Sequence, residues 1–197
     1  MLRAMSEKAL TIPSVVIDRL LRGRAAANML LVVGASALIA IAAQVAIPLP
    51  LTPVPLTLQP LAVILIGVVL GSTRGAAAAM LYLLEGVSGL PVFAQGHGGA
   101  LWLLGPTAGF LYSYPFAAHV AGFVSERGWG SSIIRAITGM LLALGVIYLG
   151  GWSWLAIQLG PSAAFTAGVA PFVLADIVKV AIGAALLPKA QELIARV

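Results

Sequence analysis

The chain has 197 residues, of which 61% are hydrophobic and 9% are charged, and its formal net charge is +5. Soluble domains carry about 25% charged residues, so a composition this poor in charge excludes a globular protein surrounded by water. With no cysteine in the sequence, disulfide bonds and thiolate metal sites are excluded as well.

The first 27 residues are predicted to be a cytoplasmic tail or a helix lying on the membrane surface. Residues 12–24 (IPSVVIDRLLRGR) mix aliphatic side chains with Asp18, Arg19 and Arg22, which is typical of an interfacial helix, and a disordered tail is the alternative. A cleaved signal peptide would also place basic residues before an apolar run. The run that follows is long and leads into further apolar segments, so we expect a retained first helix.

Six apolar segments follow, and a spanning helix needs about 20 apolar residues. The segments are 28–47, 58–71, 75–90, 107–124, 133–155 and 165–187. We predict an all-α membrane protein with six transmembrane helices in one domain, residues 28–190, followed by a cytoplasmic tail, residues 191–197.

The basic residues lie on one side of this arrangement. Ten of the eleven Lys and Arg precede the first segment, follow the sixth, lie between segments two and three, or lie at the junction of segments four and five, where Arg135 is in the first turn of the fifth. The connections at 48–57, 91–106 and 156–164 contain none. This asymmetry is the positive-inside pattern, and it predicts both termini in the cytoplasm of a multi-pass protein of the cytoplasmic membrane. Because topology explains the basic charge, we expect membrane lipid and no nucleic acid as a partner.

The first charge-free connection is rich in proline. Residues 48–60 (PLPLTPVPLTLQP) hold five of the twelve prolines. Proline restricts φ, so an extended segment loses little entropy when it closes on a ligand. Thr52, Thr57 and Gln59 are its polar side chains and are candidates to reach a pocket. We predict that this segment is a lid, and a rigid spacer is the alternative.

The third segment ends in polar and glycine-rich residues. Glu85 is predicted either to lie at a helix end near water or to point into a pocket. The glycines of the following loop allow close approach to a ligand. His97 in that loop and His119 in the fourth segment each lack a neighbouring His or Cys in the sequence, so we expect a solvated loop residue at His97 and no metal site.

Asp176 and Lys179 are charged residues within the sixth segment. Their i,i+3 spacing places them on one helix face, and charges inside a membrane are costly and usually face the bundle interior. One interpretation is an ion pair that only neutralises itself, and the other is a polar patch in a ligand pocket. A helix that begins at Phe165 places Asp176 near the midplane, whereas one that begins at Pro171 places it near the outer surface.

The sequence is also similar to a known family in four stretches that follow in order. These are AQVAIPLPLTPVPLTLQPLAV (43–63), LYLLEGVSGLPVFAQGHGG (81–99), GPTAGF (105–110) and DIVK (176–179). Together they resemble the biotin-specific substrate-binding subunits, or S-components, of energy-coupling factor transporters, over nearly the whole chain after about residue 30. The resemblance implies a six-helix subunit with a biotin pocket near the outer face. It also implies no catalysis and no cofactor, with ATP used by partners, namely a membrane scaffold subunit and two cytosolic ATPases.

The resemblance also implies roles for particular residues. The family's acid and lysine of the sixth span map onto Asp176 and Lys179. A small-residue motif that faces the scaffold maps onto Ser36 and Ala40, with Ser in place of the first Ala. Glu85 stands where many relatives have an apolar residue.

The chemistry of biotin fits these side chains. A carboxylate such as Asp176 accepts ureido N–H bonds, and Lys179 can bond the ureido oxygen or the tail carboxylate. Further candidates are polar groups of the proline segment and aromatic rings that would cover the bicycle: Thr57, Gln59, Tyr82, Phe93 and Tyr112.

Three alternatives stay open from the sequence. Uptake without dedicated partners is a variant of the same function. A second alternative is an S-component for another vitamin, such as thiamine or riboflavin, against which the biotin-type loops argue. The third is an intramembrane lipid-processing enzyme with Asp176 as general acid or base. It lacks a second catalytic group, and the sequence offers no Ser–His–Asp set, Walker-type loop or paired carboxylates.

Overall fold

The structure is a computed structural model that describes residue 17, residues 24–129 and residues 132–194. The segment predicted at 12–24 therefore lies outside the described residues, apart from Ile17 and Arg24.

The described residues form an all-helical bundle, which confirms the predicted fold class. Its elements in chain order are α1 (Ala25–Gln44), β1 (Ala46–Ile47), β2 (Leu56–Thr57), α2 (Gln59–Leu70), α3 (Ser72–Val87), α4 (Ala108–Glu126), α5 (Ile133–Leu159), α6 (Pro161–Gly168) and α7 (Val173–Ile194), with short 3-10 turns at Ala94–Gly96 and Ala100–Leu104. The first five predicted segments coincide with α1 to α5 to within about four residues. Helix α7 extends to Ile194 and so continues into the predicted tail at 191–197.

The sixth predicted segment is two helices rather than one. Helix α6 ends at Gly168 and α7 begins at Val173, and the two are bent by 48°. Pro171 lies in the break, where its ring restricts φ and its missing N–H removes a helical hydrogen bond. Asp176 consequently lies in the first turn of α7, which agrees with the second of the two helix starts considered from the sequence.

Helix boundaries elsewhere follow glycine and proline. Gly71 has φ of 87° and separates α2 from α3. Gly160 has φ of 84° and precedes Pro161 at the first turn of α6. These left-handed conformations favour glycine and make the connections between consecutive helices short.

Among the described residues, α1 and α5 are long and apolar enough to cross a membrane, and the bent pair α6–α7 is a third candidate. Helix α2 is apolar but has only 12 residues. These assignments rest on length and composition.

Helix α4 lies at the centre and packs against α2, α3 and α5. The close approach needs small residues, because a Cβ on Gly67 would meet the backbone of Ala118 and one on Gly109 would meet the backbone of Gly150. Small residues allow such packing inside a membrane, where helices associate mainly through van der Waals contact. Ala117 and Ala118 have no exposed surface.

The charge-free connections gather at one end of the bundle, which we call the loop end. It comprises residues 45–58, 88–107 and 160–172. In the first of these, β1 pairs antiparallel with β2, with Ala46 opposite Thr57 and Ile47 opposite Leu56. The proline segment is therefore the loop of a small hairpin.

Candidate functional site

A pocket lies inside the loop end, and its space together with the adjoining solvent measures about 560 Å³. The proline segment supplies one wall through residues 54–57, and Gln59 and Pro60 extend that wall into α2. The loop after α3 contributes Ala94, Trp102 and Thr107. Helices supply the rest: Phe110, Leu111 and Tyr114 from α4, Ile147 and Tyr148 from α5, and Phe172 and Asp176 at the start of α7.

Asp176 is the acidic group of this pocket and is 5% exposed. Its Oδ1 accepts a hydrogen bond from Lys179 Nζ at 2.7 Å, and its Oδ2 accepts one from the Tyr148 hydroxyl at 2.7 Å. The carboxylate also lies at the N-terminal turn of α7, where the helix dipole favours negative charge. These two bonds orient the buried carboxylate on the pocket wall.

Lys179 lies behind Asp176 rather than on the pocket wall. Its Nζ also donates to the carbonyl oxygen of Thr57 at 2.7 Å, so it links α7 to strand β2. The ion pair between Asp176 and Lys179 that the sequence suggested is therefore present. Lys179 also connects α7 to Thr57 at the base of the proline segment.

Gln59 forms a second polar group on the wall and is 3% exposed. Its Oε1 accepts a bond from the Thr57 hydroxyl at 3.3 Å, and its Nε2 donates to the Tyr82 hydroxyl at 2.6 Å. An amide nitrogen carries two hydrogens, so one N–H of Gln59 is left for a ligand. The pocket therefore offers an acceptor at Asp176 and a donor at Gln59.

The proline segment is anchored over the pocket. The Thr52 hydroxyl donates to the carbonyl of Ala167 in α6 at 2.6 Å and accepts from the Val54 amide at 3.1 Å. Val54 is buried, while Leu51 at the tip of the hairpin is 91% exposed. The segment occupies the place that a lid requires.

The loop after α3 is anchored by α1. Gln44 Nε2 donates to the carbonyl of Phe93 at 3.2 Å, and Gln44 Oε1 accepts from the Gly96 amide at 3.0 Å. The Phe93 ring is fully buried and packs edge-on against Tyr82, with ring centroids 5.6 Å apart. Tyr82 and Phe93 therefore support the pocket from behind, without lining it.

Two further candidates lie away from the pocket. Tyr112 is 39% exposed, its hydroxyl donates to the carbonyl of Leu103 at 2.7 Å, and its ring packs against Trp154. Glu85 accepts a hydrogen bond from Ser36, so it points toward α1 rather than into the pocket or toward water at the helix end. Neither residue is placed to contact a ligand in this cavity.

The residues expected to face a scaffold are mostly turned inward. Ser36 has no exposed surface. Its hydroxyl lies between α1 and α3 and donates a hydrogen bond to the carboxylate of Glu85. Ala40 is partly buried. The exposed face of α1 instead carries apolar side chains such as Leu38 and Ile41, which are 58% and 63% exposed.

Sequence reasoning missed most of the aromatic lining. Trp102, Phe110, Tyr114, Tyr148 and Phe172 all line the pocket. Tyr148 and Tyr114 carried a signal, since each has a polar hydroxyl within a long apolar segment. The others have no sequence pattern that separates a pocket wall from an ordinary core.

No group of three or more His, Cys, Asp or Glu side chains within the described ranges is arranged to hold a metal ion. The polar side chains on the pocket wall include the carboxylate of Asp176 and the amide of Gln59.

Comparison with known proteins gives a consistent result. The model of the BioY family matches residues 10–196. A probable biotin transporter BioY from Pyrococcus horikoshii is 40% identical over 158 residues, which cover 79% of this chain and 90% of that protein. The biotin transporter BioY of Thermotoga maritima is 36% identical over 162 residues, covering 80% and 92%. The crystal structure of an S-component for biotin from an ECF-type ABC transporter has the same fold, with a TM-score of 0.78, 22% identity, and coverage of 86% of this chain and 93% of that one.

Proposed function

The chain belongs to the BioY family, and from that premise we propose that it takes up biotin as the substrate-binding subunit of an energy-coupling factor transporter. The observation that carries this proposal is the family match across residues 10–196. The protein is accordingly a multi-pass membrane transporter and not an enzyme.

The pocket chemistry supports biotin as the ligand. Biotin combines a ureido group, which has two N–H donors and one carbonyl acceptor, with an apolar bicycle and a carboxylate tail. Asp176 would accept a ureido N–H, and the unused N–H of Gln59 would donate to a biotin oxygen. Charge-assisted hydrogen bonds of the first kind are roughly twice as strong as neutral ones.

The apolar part of biotin suits the remaining walls. Trp102, Phe110 and Tyr114 line the cavity with ring faces and edges, and ligand pockets are typically apolar with a few convergent polar groups. For Lys179 to reach the ureido oxygen or the tail, it would exchange its bond to the Thr57 carbonyl for one to the ligand. That exchange would release the base of the proline segment and so couple ligand binding to movement of the lid.

Partners follow from the same proposal. A membrane scaffold subunit and two cytosolic ATPases would drive release of biotin inside, and the apolar exposed face of α1 supports docking of a helical scaffold there. Uptake without these partners is a variant that co-purification distinguishes. If tagged protein isolated from its native membrane carries stoichiometric ATPase subunits, transport is coupled, and their absence favours solitary uptake.

Both termini are proposed to lie in the cytoplasm, with the loop end facing outward. The support is the charge pattern: Arg24, Arg74, Arg127 and Arg135 all lie at the end of the bundle opposite the loop end. Positive residues are retained on the cytoplasmic side during insertion.

The ligand is tested by calorimetric titration of the full chain in detergent with biotin, thiamine and riboflavin. Wild type is expected to bind biotin with sub-micromolar affinity and the other two vitamins far more weakly. Asp176→Asn should weaken biotin binding about 10- to 100-fold, since a hydrogen bond to a charged group contributes about 1.5–3 kcal/mol. Lys179→Ala should also weaken binding, because it leaves the carboxylate with one donor fewer.

Glu126→Gln is the matched control for loss of a carboxylate. Glu126 caps α3 by accepting from the Ser72 amide at 2.7 Å, at the end opposite the pocket, so biotin binding should stay as in wild type. A wild-type protein that does not bind biotin below the micromolar range refutes the function. Mutants of Asp176 and Lys179 that both bind normally would reduce the pair to a structural role.

A further inference from the structure

An aromatic stack lies in the loop after α3. The rings of His97 and Trp102 are 3.9 Å apart at their centroids with an angle of 14° between their planes. Trp102 lines the pocket, whereas His97 is exposed and does not line it. The imidazole therefore covers the outer side of the pocket-lining indole.

The histidine ring is itself oriented by the loop. His97 Nδ1 lies 2.8 Å from the carbonyl oxygen of Ala94, and only a protonated nitrogen can donate to a carbonyl, so Nδ1 carries the hydrogen. The carbonyl of His97 also accepts from the Phe93 amide at 2.9 Å. Both bonds close the tight turn at Gln95 and Gly96, whose φ values are 60° and 72°.

That turn is tied to the rest of the molecule. Gln44 at the end of α1 bonds the Gly96 amide at 3.0 Å and the Phe93 carbonyl at 3.2 Å. The position of the imidazole is thus determined by α1 and by the turn, independently of the pocket. Trp102 lies on the following 3-10 turn, Ala100–Leu104, where its own backbone bond is to Gly99 at 3.1 Å.

We propose that His97 is a positioning residue for ligand binding, which holds the Trp102 indole in the pocket wall and shields its outer face from water. The role rests on the proposed function, because biotin is the ligand that the indole would contact. His97 acts through Trp102 and does not touch the ligand itself. A stacked ring restricts the rotation of the indole, so the pocket wall is formed before the ligand arrives and less entropy is lost on binding.

A double-mutant cycle tests this role by biotin titration of the full chain. His97→Ala is expected to weaken biotin binding about 3- to 10-fold, the range that one stacked aromatic pair contributes. His97→Phe keeps a ring over the indole and should restore binding to within about 2-fold of wild type. In a Trp102→Ala background, His97→Ala should change binding by less than about 2-fold, because its partner is gone.

His119→Ala is the matched control, since His119 is the second of the two histidines in the chain and lies on the exposed face of α4. It should bind as wild type. The proposal is overturned if His97→Ala binds as wild type, or if it weakens binding equally with and without Trp102.

A second readout does not need biotin. The Trp102 emission is obtained as the difference between the fluorescence spectra of each protein and the same protein carrying Trp102→Phe. His97→Ala should shift this emission to the red and increase its quenching by acrylamide, whereas His97→Phe should not. Wild type that fails to bind biotin overturns the proposed function alone, whereas unchanged Trp102 emission in His97→Ala overturns the positioning role alone.

Discussion

Asp176 is held at both carboxylate oxygens by groups from two directions. Lys179 comes from one turn further along α7, and Tyr148 comes from α5, each at 2.7 Å. A buried carboxylate without partners would cost several kcal/mol, so these two bonds make an acidic side chain tolerable beside an apolar cavity. The two bonds also fix the orientation of the Asp176 carboxylate. This orientation favours a ligand whose N–H donors point at the remaining lone pairs of its oxygens.

Tyr148→Phe tests whether this restriction matters for binding. The variant keeps the ring on the pocket wall and removes only the hydroxyl that bonds Asp176 Oδ2. Biotin binding should weaken about 5- to 30-fold, because the carboxylate loses a donor that contributes about 1–2 kcal/mol. Calorimetric titration measures the change.

Tyr112→Phe is the control for the same chemical change outside the pocket. Its hydroxyl donates to the Leu103 carbonyl rather than to Asp176, so the affinity for biotin should not change. Tighter binding by Tyr148→Phe would contradict the interpretation, since it would mean that the tyrosine competes with the ligand for Asp176.

Single polar residues in apolar segments were the part of the site that sequence could predict. Asp176 and Gln59 line the pocket, as does Thr57, because burying a polar group in a membrane bundle requires a polar partner or a ligand. Tyr112 and Glu85 satisfied the same criterion but bond the Leu103 carbonyl and Ser36 instead. Sequence shows that such a group needs a partner, and only the packing shows which partner it finds.

At the scale of elements, the break between α6 and α7 decides where the charged pair lies. A continuous sixth helix would have carried Asp176 to the middle of the bundle. The bend of 48° instead brings it into the first turn of a helix that starts beside the loops. Pro171 was one of the two helix starts that the sequence offered, yet residues 165–187 are apolar enough overall that one span was predicted. Where a helix starts depends on the φ/ψ angles and hydrogen bonds of a few residues, and an average of hydropathy over a long segment does not report on them.

The contact between α3 and the following loop gives a testable example of element packing. A Cβ on Gly86 would overlap the ring of Phe93, which is fully buried. Gly86→Ala should therefore displace this ring and destabilise the protein by about 1–3 kcal/mol, the usual cost of overpacking. The apparent midpoint of thermal unfolding in detergent should fall by several degrees. Biotin should bind more weakly, because Ala94 on the pocket wall is adjacent to Phe93.

Gly145→Ala is the matched control on α5. Nothing lies within 4 Å of a Cβ built at Gly145, and alanine is favoured over glycine inside a helix by about 0.5–1 kcal/mol. Its unfolding midpoint should equal or exceed that of wild type. If both variants melt alike, the fit between Gly86 and Phe93 does not limit stability.

For the whole molecule, the two ends of the bundle differ in chemistry. The loop end holds the pocket and the charge-free connections, whereas the opposite end carries Arg24, Arg74, Arg127 and Arg135. The fold class was predictable because hydropathy and charge report on the whole chain at once. The pocket shape was not, since it depends on how three separate connections meet in space.

The proposed orientation is testable because the chain contains no cysteine. Single-cysteine variants can then be labelled in intact cells with a membrane-impermeant maleimide. Leu104→Cys lies at the loop end, where Leu104 is 65% exposed, and should be labelled without disrupting the membrane. Ser132→Cys, at the start of α5, and Ser6→Cys, in the N-terminal region, should be labelled only after permeabilisation.

Each of these variants must first bind biotin as wild type does, which shows that the reporter is in the native fold. Cysteines at Leu104 and Ser132 lie at opposite ends of the bundle, so a single orientation cannot label both in intact cells. Labelling of Ser132→Cys and Ser6→Cys alone would reverse the topology and place the pocket on the cytoplasmic side. A pocket that faces the cytoplasm cannot capture biotin from outside, and this topology would also mean that the positive residues had been translocated against the positive-inside rule.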